Sequence, residues 1–223
     1  MAHEISPFAH LDAPPRRVIV GGTTGSGKTT LAGQIAAIIG APHVELDALH
    51  WEPNWTEAPA DVFRERIAAA LTGDRWVVDG NYSVARDLTW SRADLLIWLD
   101  YSLARIYWQL LRRTTRRVRT QEELWSGNRE RFRAAFFSRE SLFVWALQTH
   151  WKRRRIWPPL LADPTWSHLR YVHIRSSREL RAFVAQLRDA ADTPTLTTDH
   201  PASPGLEDAG SALPATGDRR PMN

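Results

Sequence analysis

The chain of 223 residues contains no cysteine and only two lysines, Lys28 and Lys152. Without cysteine it can form no disulfide framework, zinc-thiolate site or cysteine nucleophile. The amino-terminal residues lack the basic start and apolar run of a signal peptide. No stretch approaches the roughly 20 apolar residues that a membrane-spanning helix needs. These absences predict a cytoplasmic protein with no membrane partner.

The scarcity of lysine makes the two that remain informative. Of the 29 basic residues, 27 are arginine, which a coding-composition bias of the source genome explains most simply. Arginine replaces lysine as a cation at most positions, but not where a compact ammonium must enter a tight pocket. Each lysine therefore marks a position where such a pocket is worth looking for.

The charge is distributed unevenly along the chain, whose formal net charge is +4. Residues 189–223 hold five prolines and six acidic residues but no Phe, Trp, Tyr, Ile or Val, which predicts a disordered tail. Without that tail, 27 basic and 19 acidic residues leave a net charge of +8, and residues 101–160 alone carry +10. We therefore predict an amino-terminal extension (1–15), one domain (16–188) and the tail.

Short apolar runs alternate with helical patterns through this domain. The runs predict strands at 16–22, 43–47, 75–79, 95–99 and 169–174. The helical patterns lie at 28–40, 58–71, 103–118 and 177–188, where Ser177 is the expected N-cap, with one or two more helices within 129–155. Such alternation predicts an α/β protein whose parallel sheet is covered by helices on both faces.

The first predicted strand runs into a glycine-rich phosphate-binding motif. The segment Gly22-Thr23-Thr24-Gly25-Ser26-Gly27-Lys28-Thr29 matches G-x-x-x-x-G-K-[ST] and precedes a predicted helix, as the mechanism requires. The loop amides and the helix dipole bind phosphate, Lys28 reaches the β and γ phosphates, and Thr29 is a ligand of Mg²⁺. The motif predicts binding of ATP and Mg²⁺ by Gly22, Thr23, Thr24, Gly25, Ser26, Gly27, Lys28, Thr29 and Thr30.

A phosphate loop also needs an acidic partner at the end of a neighbouring strand, and two residues fit. Asp79 is followed by the small residues Gly80 and Asn81, which leave its carboxylate open where ligands of α/β sheets bind. Asp100 follows the next apolar run and could instead cap the helix after it, together with Ser102. Spacing does not decide between the two, and we favour Asp79 as the metal ligand.

Three further motifs accompany the phosphate loop. They are Asp47-Ala48-Leu49-His50-Trp51 with Pro53-Asn54-Trp55, Trp76-Val77-Val78-Asp79-Gly80-Asn81-Tyr82, and Gly127-Asn128-Arg129-Glu130. Together, over residues 17–185, they resemble the adenylate-kinase-like group of P-loop kinases, and most closely the bacterial DNA topology modulation proteins. The resemblance implies a three-layer P-loop NTPase fold with a five-stranded parallel sheet and an Arg-rich helical lid. It also implies transfer of a phosphoryl group from Mg-ATP to a nucleotide, nucleoside or other small-molecule acceptor.

The resemblance further implies the residues of the acceptor site. Asp47, at the end of the second strand, is the candidate general base. Asp79-Gly80 looks like the Asp-Gly pair of nucleotide monophosphate kinases. Those kinases carry an arginine four residues after the aspartate, where this sequence has Ser83, and the nearest arginine is Arg86. This departure disfavours a nucleotide monophosphate. The predicted acceptor set is Asp47, Trp51, Trp55, Gly80, Asn81, Tyr82 and Arg86, whose aromatic rings either stack on a flat acceptor or pack in the core.

The predicted helix at 103–118 ends in a cluster of arginines. In the resembled kinases this position is a lid whose arginines clamp the phosphates, here a short lid at about 103–130. We predict Arg113, Arg116 and Arg117 as its contacts with the phosphates. The alternative is a solvated basic face at a helix C-terminus, since Arg112, Arg116 and Arg119 recur on one side.

A second interpretation is a nucleic-acid-associated ATPase. The basic segment includes Lys152-Arg153-Arg154-Arg155 and is interleaved with Trp108, Trp125, Trp145 and Trp151, which could neutralise phosphates and stack on bases. The sequence contains no recognised DNA-binding motif, and a kinase lid accounts for much of the charge. We therefore favour the kinase.

Overall fold

A computed structural model describes residues 1–120, 123–128 and 142–193. Its strands are β1 (His3–Glu4), β2 (Arg17–Gly22), β3 (His43–Glu45), β4 (Trp51–Glu52), β5 (Thr56–Glu57), β6 (Trp76–Asp79), β7 (Leu95–Leu99) and β8 (Arg170–Ile174). Its helices are α1 (Lys28–Ile39), α2 (Leu46–His50), α3 (Ala60–Ala70), α4 (Arg86–Trp90), α5 (Leu103–Thr120), α6 (Leu142–Leu161) and α7 (Ser177–Asp192). Short 3-10 turns lie at Pro53–Trp55, Ser83–Ala85, Trp125–Gly127 and Pro164–Trp166.

The main sheet is parallel throughout, in the order β1-β8-β7-β2-β6-β3. This confirms the predicted α/β class, but the sheet has six strands and not five. The sixth, β1, lies in the predicted extension 1–15 and pairs with β8 at the sheet edge. The extension is thus part of the sheet. Strands β4 and β5 form a separate antiparallel hairpin.

The sheet separates two apolar layers, because alternate side chains of its buried strands point to opposite faces. In β7, Leu95, Ile97 and Leu99 face a layer shared with α1, α5 and α7. Leu96 and Trp98 face the other layer, shared with α3, α4 and the end of α6. Helices therefore cover both faces, as the continuous apolar runs predicted.

Two element boundaries differ from the predictions near functional residues. Strand β3 ends at Glu45, so Asp47 lies in the short helix α2 and not at the end of a strand. The chain turns there because Leu46 is buried against Gly80. The N-cap of α7 is Ser176, which forms a reciprocal capping box with Glu179, and the prediction of Ser177 was wrong.

The ends of the predicted domain also differ. Helix α7 continues past residue 188 to Asp192 and buries Ala190, so the first residues of the predicted tail are helical. Residues 129–141, the first part of a predicted helical stretch that begins at Arg129, lie outside the described residues. So do residues 194–223 of the predicted tail. Within the part of the chain that the structure describes, no helix is long and apolar enough to cross a membrane.

Candidate active site

The phosphate loop lies at the carboxyl edge of the sheet, between the end of β2 and the start of α1. Strand β2 is flanked by β6 and β7, so the loop sits where three strands end side by side. Gly27 immediately precedes α1 with φ 92°, a left-handed conformation that glycine adopts without a steric cost. The amino end of a twelve-residue helix therefore faces the loop, which is the setting that binds phosphate.

Asn81 holds the first residue of this loop. Its Nδ2 donates a hydrogen bond to the carbonyl of Gly22 over 2.6 Å, and its Oδ1 accepts from the Gly22 N–H over 3.0 Å. The prediction had assigned Asn81 to the acceptor. Both ends of the amide are engaged by the loop, so this side chain fixes the loop to the end of β6. Its contact with an acceptor stays a prediction.

Lys28 reaches back over the loop, where its Nζ donates to the carbonyl of Thr23 over 3.4 Å. Burial lowers the pKa of its ammonium to about 8. Asp47 and Asp79 oppose this shift, whereas Arg153 and Arg113 add to it. One lysine thus lies within electrostatic range of two arginines and of both carboxylates that the sequence singled out.

Arg153 lies in the candidate site, although the sequence analysis did not select it as a site residue. Its Nη1 donates to Oγ1 of Thr23 over 3.2 Å, and burial lowers its pKa to about 10. It comes from the basic run that had been assigned to nucleic acid. The spacing of the two residues could have indicated this position, because Arg153 and Trp157 are four residues apart and share one face of α6. Trp157 is buried, and its ring lies 5.6 Å from the guanidinium of Arg153. Lys152 and Arg155 are exposed instead.

Helix α5 packs directly on the phosphate loop. Its residues Ile106 and Leu110 lie so close to Gly25 that they leave little room for a side chain there. Among the predicted lid contacts, Arg113 and Arg117 follow Leu110 on the same helical stripe and are partly buried. The third, Arg116, is exposed. So are Arg112 and Arg119, the other two arginines of the predicted stripe.

Asp79 lies beside the loop, in register with Val20 of β2. The residue is 4% exposed, and its buried Oδ2 has no hydrogen-bond partner within the described residues. Its Oδ1 lies 3.9 Å from Nε2 of His43, whose pKa it raises. Thr29 is exposed at the start of α1. A carboxylate oxygen without a hydrogen-bond partner and a hydroxyl beside a phosphate loop are the donors that suit Mg²⁺.

Asp100, the alternative metal ligand, is fully engaged. Its Oδ1 accepts from Nε of Arg154 over 2.7 Å and its Oδ2 from Nε2 of His173 over 3.0 Å. Burial alone would raise the pKa of Asp100, but these hydrogen bonds lower it below its usual value. The carboxylate therefore binds α6 to β8, and the suggestion that it caps α5 was wrong.

Asp47 lies on the acceptor side, where Tyr82 donates a hydrogen bond from its hydroxyl to Oδ1 over 2.7 Å. Burial raises the pKa of Tyr82, and the charge of Asp47 raises it further, so the phenol keeps its proton. Within the described residues, Oδ2 of Asp47 accepts no hydrogen bond. One carboxylate oxygen is thus held and the other is open.

A cluster of rings connects Asp47 with the hairpin β4–β5. The ring of His50 lies 4.6 Å from Tyr82 and 4.9 Å from Trp51, and Trp51 lies 5.6 Å from Trp55. These rings meet at 49° to 79°, so they form tilted and edge contacts and not a flat slot with parallel walls. The predicted aromatic residues do come together, with His50 at their centre.

Several residues of the predicted acceptor set also line a small cavity beside Tyr82. Gly80, Tyr82 and Arg86 contribute to its wall together with Trp90 and Trp157. The guanidinium of Arg86 lies 5.3 Å from the ring of Trp90, and burial lowers its pKa. Arg86 therefore contributes a positive charge to the wall of this cavity.

No protein-family model and no curated protein matches this chain. Among solved structures, it is similar to a gluconokinase from Sinorhizobium meliloti 1021, at 20% identity and a TM-score of 0.47, covering 80% of this chain and 95% of that one. A shikimate kinase from Bacteroides thetaiotaomicron matches at 14% identity and a TM-score of 0.47, over 79% of this chain and 98% of the kinase. A shikimate kinase from Acinetobacter baumannii, in complex with shikimate, matches at 14% identity and a TM-score of 0.42, over 79% of this chain and 88% of the kinase. Identities this low transfer no substrate to this chain.

Proposed function

We propose that this protein is a kinase that transfers the γ-phosphoryl group of Mg-ATP to a hydroxyl group of a small-molecule acceptor. The observation that carries the proposal is the surroundings of Lys28. Its ammonium is within electrostatic range of Arg113 and Arg153 over the phosphate loop, and of Asp47 on the acceptor side. A group of cations near a carboxylate is the arrangement that phosphoryl transfer requires.

The nucleotide side of this site consists of the loop from Gly22 to Thr30 with Arg113, Arg117 and Arg153. Thr29 and Asp79 would hold Mg²⁺, since both present oxygen ligands beside the loop. Mg-ATP supplies the phosphoryl group and part of the charge compensation. The three arginines would neutralise the charge that develops on the γ-phosphate oxygens and help to exclude water.

On the acceptor side, Asp47 would act as the general base. The acceptor oxygen forms a bond to the γ phosphorus while the bond to the β–γ bridging oxygen breaks, and ADP leaves. The hydroxyl proton passes to Oδ2 of Asp47, which Tyr82 leaves open by donating to Oδ1. Tyr82 would therefore orient the base, and the electrostatic proximity of Asp47 to Lys28 supports a position of the base near the phosphate loop.

The acceptor would lie against Trp51, His50 and Tyr82, with Arg86 at the cavity that Tyr82 also lines. Ser83 stands where nucleotide monophosphate kinases carry an arginine, so a sugar, polyol or other neutral hydroxyl compound is favoured over a nucleotide monophosphate. The likeness to DNA topology modulation proteins remains a resemblance in motifs. A cytoplasmic location remains a prediction from the sequence.

Titration calorimetry with Mg-ATP tests the nucleotide site, and the two lysines provide a matched pair. Lys28→Ala should lose most of the affinity, whereas Lys152→Ala removes an exposed ammonium and should bind as the wild type does. Phosphate transfer is then measured with a panel of sugars, polyols, nucleosides and nucleotides. Wild-type protein that binds no Mg-ATP, or equal binding by Lys28→Ala, would falsify the proposal. Asp47→Asn should bind Mg-ATP normally and transfer no phosphate.

A second candidate is the nucleic-acid-associated ATPase. The observation that favours it is the exposure of three tryptophans, Trp108 on α5 and Trp145 and Trp151 on α6, each more than half accessible. Helix α6 also exposes Lys152 and Arg155. Only half of the basic run is available for this purpose, because Arg153 and Arg154 point to the phosphate loop and to Asp100. ATP hydrolysis stimulated by single-stranded DNA, with no small molecule phosphorylated, would establish this candidate instead.

A further inference from the structure

Residues 123–128, here called the clasp, lie between α5 and α6 in sequence and contact the hairpin of residues 51–57, here called the acceptor hairpin. Asn128 makes the central contact. Its Nδ2 donates to the carbonyl of Glu52 over 2.9 Å, and its Oδ1 accepts from the N–H of Trp55 over 2.9 Å. The side-chain amide thus binds both ends of the turn that joins β4 to β5. Asn128 is only 5% exposed.

Two further hydrogen bonds join the clasp to the segment that carries Asp47. Ser126 donates from its hydroxyl to the carbonyl of Trp51 over 2.7 Å. Trp125 donates from its indole N–H to Oε2 of Glu45 over 3.0 Å. The contacts therefore extend from the end of β3 to the tip of the hairpin and lie on both sides of Asp47.

The turn that Asn128 contacts has an unusual backbone. Asn54 and Trp55 are consecutive left-handed residues, with φ 61° and 57°. Asparagine tolerates this conformation, but for a bulky residue such as tryptophan it is an outlier that persists only where surrounding contacts impose it. The hydrogen bond from the Trp55 N–H to Asn128 is such a contact, because it fixes the peptide group whose rotation sets the position of the indole.

We infer that Asn128 is a positioning residue of the acceptor site: by bonding to both ends of the 52–55 turn it holds the indole of Trp55 against Trp51. The inference rests on the proposed function for the identity of the site. Trp55 touches Trp51, which reaches Tyr82 and Asp47 through His50. The clasp residue therefore determines the shape of the acceptor site without contacting the acceptor.

The test compares Asn128→Ala with the wild type in the full-length protein. Hydrogen exchange measured by mass spectrometry should show amides of residues 51–57 exchanging about tenfold faster, since a buried bond to each end of the turn is lost. Exchange in β2 and β7 should not change. Ser126→Ala, which removes one bond to the same hairpin, should give a smaller effect. Gln148→Ala removes an exposed amide from α6 and is the control.

Kinetics separate positioning from general destabilisation. With an acceptor found in the panel, Asn128→Ala should raise the acceptor KM about tenfold while kcat and the KM for Mg-ATP change less than about threefold. Unchanged exchange in residues 51–57, faster exchange throughout the sheet, or an unaltered acceptor KM would each overturn the inference. If the wild type phosphorylates nothing, the proposed function fails, and the exchange experiment still decides whether Asn128 holds the hairpin.

Discussion

Arg153 donates a hydrogen bond from Nη1 to Oγ1 of Thr23 over 3.2 Å and across 130 residues of sequence. The carbonyl of the same threonine accepts a hydrogen bond from Nζ of Lys28. One buried loop residue thus contacts two cations, one from α1 and one from α6. Helix α6 is therefore a third component of the phosphate site, beside the loop itself and α5.

We predict that Arg153→Ala weakens Mg-ATP binding by about tenfold to a hundredfold. A hydrogen bond to a charged group contributes about 1.5–3 kcal/mol, and the guanidinium also adds positive charge where phosphate binds. Titration calorimetry measures the effect. Arg155→Ala, two residues further along α6 and exposed, should bind Mg-ATP as the wild type does. Equal affinities for the two variants would show that Arg153 makes no contact with the nucleotide.

We predict that Asp100→Asn destabilises the fold by about 1–3 kcal/mol at neutral pH, because Arg154 and His173 lose a charged partner. The pKa of Asp100 is lowered in the folded protein, so its contribution is present above its unfolded pKa and is lost as the pH falls through the folded value. Urea unfolding over a pH series measures the difference from the wild type. This difference should shrink below about pH 4.

The control for this experiment is Asp189→Asn, which changes an exposed carboxylate on α7. It should leave the free energy of unfolding near that of the wild type at each pH. A destabilisation by Asp100→Asn that stays constant from neutral to acidic pH would contradict the assignment of an ionised Asp100 to this network.

Strands β2, β6 and β7 could be predicted because they are buried parallel strands of the sheet, and such strands are apolar on both faces. Strand β1 could not be predicted. Its two residues, His3 and Glu4, are exposed and carry no apolar pattern. They join the sheet through backbone pairing with β8 and through the Glu4 carboxylate, which accepts a hydrogen bond from the hydroxyl of Tyr171. Asp47 was misplaced for a related reason, since the turn into α2 depends on Leu46 packing against Gly80 from another strand.

In the candidate site, the phosphate loop was predicted because its chemistry lies in eight consecutive residues. The other contacts of the site join residues that are far apart in sequence. Arg153 and Thr23 are 130 residues apart, Asn81 and Gly22 are 59 apart, and Asp100 and His173 are 73 apart. Such pairs leave no regular spacing in the sequence. Only the fold shows that Asn81 supports the loop and that Asp100 is already paired.

We predict that Gly21→Ala destabilises the protein by about 1–3 kcal/mol, which is typical of overpacking. A methyl group at Gly21 would overlap the ring of Trp157 and press on Oδ1 of Asn81. Gly33→Ala provides the matched comparison, because Gly33 lies within α1 and its methyl group would make only an ordinary contact with His43. It should stabilise the protein by about 0.5–1 kcal/mol. Urea unfolding measures both, and equal effects would refute the packing argument.

The last prediction concerns the charge of Lys28, whose pKa of about 8 lies well below that of an exposed lysine. In the free protein the ammonium loses its proton as the pH rises through about 8. Bound phosphate groups bring negative charge, which favours the protonated form and raises the pKa. Binding of Mg-ATP above this pH should therefore take up to one proton from solution, and the affinity should fall as the pH rises.

Calorimetry in buffers of different ionisation enthalpy measures this uptake directly. Lys28→Ala should show none, because the group that titrates is gone. Arg153→Ala should move the onset to higher pH, because Arg153 is one of the charges that lower the pKa of Lys28. Proton release on binding, or an onset that Arg153→Ala leaves unchanged, would mean that another group carries the pH dependence. A shifted onset would instead show that Lys28 and Arg153 share one electrostatic environment at the phosphate loop.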